Sequence, residues 1–392
     1  MPASSSDAPV VVIAPDSFKG SLGASEVAAA IAEGIRRARP EARIRLCPMA
    51  DGGEGTLDAM LCAGGTRRRI AVRGAAGAAR EAAAALLPDG SAVVETAEIV
   101  GITDSGGMGV PVIARSTVGM GDAIRALLDE GVRRIYVALG GSSTNDAGAG
   151  LLAALGLRIL DADGAALEPT PEALAQAARV DASGLDARLA QTSFVAMTDV
   201  DNPLTGEHGA TAVFGPQKGV TPEQVAPIDA TLAHFADLLE AALERRVQNE
   251  AARERRVRDE AGAGAAGGLG FALRLLGARF KPGAEVVARA VGLDAALDGA
   301  DWLITGEGRS DTQTLHGKAP FIACRHAQVA GVPATLLSGA VDPAALSRLS
   351  EHFSGCFSPA PGPMTLDVAI RDAAKLLADA AEQLTRMRFH GR

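Results

Sequence analysis

The sequence has 392 residues, 47% hydrophobic and 22% charged, with a formal net charge of −9. This is the composition of a packed globular protein, too long for one small core, so about two domains are expected. The acidic balance argues against a nucleic-acid binder, no apolar run approaches the roughly 18 residues of a membrane span, and MPASSSDAP lacks a leader's basic and apolar regions, so a cytoplasmic location is expected.

In chain order, residues 10–14 (VVVIA) predict a strand, PDSFKGSLG a loop, and residues 25–39 an amphipathic helix. A second unit follows at once: strand 42–47, loop PMADGGEG, helix TLDAMLCA. Strands alternating with helices imply a parallel sheet, which gathers ligands at the carboxyl ends of its strands.

From residue 66 the pattern changes. Residues 66–95 predict two or three consecutive short strands with a PDG turn at 88–90, placing a domain boundary near 66. A helix at 117–130, capped by Ser116 or Thr117 and stopped by Gly131, leads to strand RRIYVAL and then to GGSSTNDAGAG. The strand SFVAMT ends in DVDNPLTGEHG, and residues 222–260 predict mostly helix, with alternating charge in the second half. GAGAAGGLGFAL reads as a loop feeding a helix. Strand–helix alternation resumes at about 286 and closes on a helix at 365–387.

This order predicts an α/β protein with one domain from residues 1–65 and 286–392, and an inserted α/β domain over 66–285. Four scattered cysteines without metal-ligand spacing read as buried hydrophobes in a reducing compartment. Only five of the 38 basic residues are lysine, and three of those lie beside glycine, in SFKGS, PQKGV and HGKAP. A compact ammonium in a glycine-rich turn suits contact with phosphate or carboxylate.

Seven segments place glycine beside acidic, hydroxyl or lysine side chains: PDSFKGS, ADGGEGT, ALGGSSTNDAGAG, TDVDNP, GPQKG, GAGAAGGLG and ITGEGRSDTQTLHGK. One such loop is an ordinary turn; seven in one chain point to anion binding by backbone amides. Carboxylates in the same loops would repel a phosphate unless a cation bridges them, which suggests Mg²⁺ with a nucleotide. No segment matches the Walker A loop. The glycines of 262–270 imitate a dinucleotide fingerprint, but a charged helix precedes them where a strand is required.

In order and spacing these seven segments resemble the bacterial class I glycerate kinases, from about residue 10 to 385. The resemblance implies ATP-dependent phosphorylation of D-glycerate, usually giving 2-phosphoglycerate, in glyoxylate and related catabolism. It also implies a flavodoxin-like domain from both chain ends, an inserted domain resembling a restriction-endonuclease core, and an active site in the cleft between them. The chain departs from the family's usual pattern at STVGMGDAI, where Asp122 stands for a glutamate, at Ala147, where glycine is usual, and at the charged stretch 244–260.

On this reading Asp16, Ser17, Asp51, Gly52, Gly53 and Glu54 bind glycerate, with Lys19 and Lys318 as catalytic cations. Gly140, Gly141, Ser142, Ser143, Thr144, Asn145 and Asp146 take the nucleotide phosphates. Asp199 is the catalytic base, and Asp201, Glu307 and Asp311 hold Mg²⁺, although the sequence does not separate the roles of Asp146, Asp199 and Asp201. The expected partners are D-glycerate and ATP, on a monomer or homodimer. The rival readings are a glycerate 3-kinase, an NAD-dependent hydroxy-acid dehydrogenase and a non-catalytic nucleotide-binding protein.

Overall fold

The computed structural model describes residues 8–244 and 256–391, and these divide into two compact units. The first comprises residues up to 51, 58–64 and 282 onward; the second comprises 52–57 and 65–281. Residues 52–57 therefore group with the second unit, although they lie before the boundary expected at 66.

The first unit holds a five-stranded, wholly parallel sheet. Across the sheet the strands run Arg43–Leu46, Val10–Ile13, Trp302–Thr305, Ala334–Leu337 and Gly355–Phe357. That is the 2-1-3-4-5 order of flavodoxin-like sheets, whose switch point lies between Val10–Ile13 and Trp302–Thr305. Three of these strands, VVVI, WLIT and ATLL, are buried along their whole length, as apolar runs covered on both faces must be. The helix Ala24–Ala38 packs along Ala373–Arg388, so closely that a Cβ on Gly34 would lie 2.0 Å from the Ala378 carbonyl. The closing helix expected at 365–387 is two helices, Leu366–Arg371 and Ala373–Arg388, broken at Asp372.

The second unit is built on a six-stranded mixed sheet: Arg279–Lys281, Ser193–Met197, Arg134–Ala138, Ala92–Glu95, Ala79–Leu86 and Thr66–Arg73. Its first four strands are parallel, and the last two form an antiparallel hairpin that also pairs antiparallel with Ala92–Glu95. A single apolar cluster, including Ile124, Leu127, Val137, Leu152, Phe194, Phe235 and Phe271, fills this unit. The helix predicted over 222–260 runs from Pro222 to Glu244; residues 245–255 of that stretch lie outside the described residues.

The helix expected at 117–130 spans Val118–Asp129, but neither expected hydroxyl caps it. Thr117 instead donates its hydroxyl to Asp146, a buried acceptor 29 residues away. A buried carboxylate is the stronger acceptor, and it draws the threonine away from the local cap.

Candidate active site

In the first unit, three loops with chemistry-bearing residues follow adjacent parallel strands. Val10–Ile13 runs into Asp16, Ser17 and Lys19, Arg43–Leu46 into Asp51, and Trp302–Thr305 into Glu307, Asp311 and Lys318. The first and third meet at the switch point, where the Asp16 amide donates to the Gly306 carbonyl at 2.8 Å. Gly306 must be glycine, because a Cβ there would stand 1.8 Å from the Leu337 carbonyl oxygen.

Asp16 is buried and accepts a 2.6 Å hydrogen bond from the Ser17 amide. Burial, reinforced by the like charges of Asp51 and Glu307, pushes its carboxyl up to about 8, against the opposing pull of the Ser17 bond and Lys19. Glu307 is nearly as buried but well supplied: one carboxylate oxygen accepts from Ser310 (3.1 Å) and Thr314 (2.7 Å), and the other lies 3.4 Å from the Lys318 ammonium. Asp311 caps the short turn that follows it, accepting from the Gln313 amide. Lys19 is exposed.

In the second unit, the loop after Arg134–Ala138 carries Gly140 to Asp146. The Gly140 amide donates to the Gly52 carbonyl, and a Cβ on Gly140 would meet the Gly53 Cα at 2.5 Å, so the two glycine loops lie backbone to backbone. The 52–57 segment is anchored by the buried Glu95, whose carboxylate accepts from the amides of Gly55 (3.2 Å) and Leu57 (2.8 Å); Glu54 is exposed.

Gly140, Gly141 and Ser142 line a small open cavity of about 140 Å³ together with Thr198, Gln217 and Lys218. Ser143, Thr144, Asn145 and Asp146 are completely buried. Ser143 bonds the Val100 carbonyl, and Asn145 donates to Thr211. Asp146 accepts from the amide and hydroxyl of Thr117 and from the amides of Gly148 and Gly150. Burial raises its carboxyl above the usual range, and these bonds oppose the shift. Asp146 is thus a clasp holding its loop to the start of the 118–129 helix, and its oxygens are taken. The sequence pattern of hydroxyls and acids could not distinguish these inward residues from the three at the cavity.

Asp199 and Asp201 follow the Ser193–Met197 strand and are exposed. Among the described residues, no three His, Cys, Asp or Glu side chains form a group able to hold a metal ion. Mg²⁺ that travels with a nucleotide asks less, one or two carboxylates completed by phosphate oxygens and water. Glu307 and Asp311, two of the three expected ligands, have carboxylate oxygens engaged by neighbouring donors. Asp16, with one backbone donor and the like charge of Asp51 nearby, fits such an ion better.

The profile described as the Glycerate kinase family matches residues 11–388. The chain belongs to the glycerate kinase family. It is 41% identical over 384 residues to the glycerate kinase of Bacillus subtilis (strain 168), covering 95% of this chain and 96% of that protein. It is 36% identical over 377 residues to the glycerate 2-kinase of Escherichia coli (strain K12), covering 95% and 96%. A crystal structure assigned as glycerate kinase 2 from Salmonella typhimurium LT2 superposes with a TM-score of 0.81 at 39% identity, over 97% of this chain and 98% of that one. Membership of the glycerate kinase family makes the chain a kinase acting on a small molecule with ATP. No described helix is long and apolar enough to cross a membrane.

Proposed function

We propose that the chain phosphorylates the 2-hydroxyl of D-glycerate with Mg-ATP, giving 2-phosphoglycerate and ADP. The position of transfer is supported by the 36% identity, over nearly the whole of both chains, to a protein named glycerate 2-kinase.

Glycerate is a small anion with two hydroxyls, and the first unit's switch-point loops suit it. Lys19 pairs with the carboxylate, while Asp16, Ser17 and Asp51 accept from or donate to the hydroxyls. Lys318, oriented by Glu307, adds positive charge. Gly52, Gly53 and Glu54 belong to the second unit, where the two glycines shape the backbone against Gly140. The nucleotide phosphates fit the cavity at Gly140, Gly141 and Ser142. Asp199 serves as base or orienting group. Asp16 and Asp51 are the side chains that would hold Mg²⁺, which on binding supplies neutralisation of phosphate charge. The four cysteines are free, in keeping with a reducing, cytoplasmic setting.

The test is a coupled assay with enolase, pyruvate kinase and lactate dehydrogenase, run with and without phosphoglycerate mutase. NADH oxidation without the mutase is expected. A signal that requires the mutase would assign transfer to the 3-hydroxyl, and no signal with ATP in either format would overturn the reading.

A further inference from the structure

Lys218 is the second unit's one lysine besides Lys281, and the roles assigned above do not use it. Although it sits in the loop sequence GPQKG, it is among the largest fully buried side chains of the protein, at 2% exposure. A short 3-10 turn, Pro216–Lys218, closes on Gly219 with φ of 92° and turns the lysine inward. Its ammonium donates to the Ser142 hydroxyl at 2.9 Å and to the Thr144 carbonyl at 2.7 Å. Both acceptors are neutral, and no carboxylate among the described residues pairs with it directly. Arg115, buried next to it, is used up on carbonyls, including those of Ser143 and Lys218 itself.

An ammonium has three N–H donors, and these two bonds leave one. Lys218 also lines the 140 Å³ cavity, alongside Gly140, Gly141 and Ser142. Burying a cation without a paired anion is costly, so such a group is expected to meet an anionic ligand or to lose its proton. The surroundings show that tension: burial draws the ammonium down to about 7, with Arg115 acting in the same direction and Asp146 opposing.

We propose that Lys218 is a nucleotide-binding residue of the second unit, giving its remaining N–H to a phosphate oxygen in this cavity while its other two bonds hold the 140–144 loop around that phosphate. The proposal rests on the placement of the nucleotide phosphates at Gly140 to Ser142. It has a second consequence. An anion beside the ammonium favours its charged form, so phosphate binding should weaken as pH rises above about 7 and the proton is lost. The charged groups facing the ammonium are Asp146 and Arg115.

The test is calorimetric titration of the full chain with Mg²⁺ and the non-hydrolysable analogue AMP-PNP, and separately with adenosine and D-glycerate. Loss of a charge-assisted hydrogen bond should weaken AMP-PNP about tenfold to a hundredfold in Lys218→Met, leaving adenosine and D-glycerate affinities unchanged. Unchanged AMP-PNP affinity, or an equal loss for all three ligands, overturns the proposal. If Lys218→Met does not fold, the unaltered protein decides: its AMP-PNP affinity, corrected for the analogue's own last ionisation, should fall roughly tenfold between pH 7 and 9. A flat profile overturns it. Absence of AMP-PNP binding to the unaltered protein at any pH would instead remove the placement of nucleotide on which the proposal stands.

Discussion

Asp16 and Asp146 are both buried aspartates in glycine-rich loops that follow parallel strands, yet their surroundings are opposite. Asp146 collects four donors for its two oxygens. Asp16 has one backbone donor and faces the like charges of Asp51 and Glu307. A buried carboxylate surrounded by donors holds structure together. One left short of donors is a source of instability, retained where a ligand or cation completes it. The same division runs through the two units: in the first, charged groups gather at the switch-point loops, the buried Asp16 and Glu307 among them, whereas in the second, acids and arginines clasp the frame and the cavity is lined by glycine, hydroxyl, glutamine and apolar residues with one lysine.

Four substitutions probe that contrast. The largest effect is expected from Asp199→Asn. Loss of general-base help should lower kcat by about 10² to 10⁴-fold with an unchanged thermal melt; wild-type turnover would take Asp199 out of the chemistry. Asp146→Asn replaces an acceptor by an amide whose NH₂ faces donors. It should cost about 2–4 kcal/mol in urea unfolding, while the folded enzyme keeps its KM values.

Asp16→Asn should do the reverse, lowering turnover about tenfold to a hundredfold without lowering the melting temperature. The sign follows from protonation. With the folded carboxyl at about 8 and the unfolded one at 3.8, the native state binds more protons between those values. Stability therefore falls as pH rises from 3.8 to 8, and the asparagine variant should lose that slope in the absence of Mg²⁺ and substrate. The smallest change is Ala147→Gly. Ala147 has a φ of 53°, in the left-handed region that disfavours a Cβ, at a position where the family usually has glycine. Relief of that strain should raise stability by about 0.5–1 kcal/mol, read as a higher urea midpoint, after the entropy that glycine adds to the unfolded chain.

Local features of the fold were legible in the sequence, because strand runs such as VVVI and WLIT and the helix of 24–38 follow short-range periodicity. The 2-1-3-4-5 order followed only from the resemblance to a flavodoxin-like domain, since it pairs residue 11 with residue 302 and no local pattern encodes that. The loops of the candidate site were visible as glycine beside acid, hydroxyl or lysine. Which side chains turn inward was hidden, because it depends on partners far along the chain. Thr117 reaches Asp146, Glu95 anchors 55–57, and the PQKG lysine is drawn under Ser142 and Thr144. The scarcity of lysine and the glycines beside it in GPQKG were the available signals for Lys218.

On the proposed reading, glycerate engages the first unit's switch-point loops and the nucleotide engages the second unit's cavity. Hydrogen–deuterium exchange with each ligand alone tests it most directly. D-glycerate should protect 15–19 and 306–318, and AMP-PNP added without Mg²⁺, the ion proposed to sit at Asp16 and Asp51, should protect 139–142 and 214–219. Protection of the same loops by both ligands, or of the opposite sets, would contradict it.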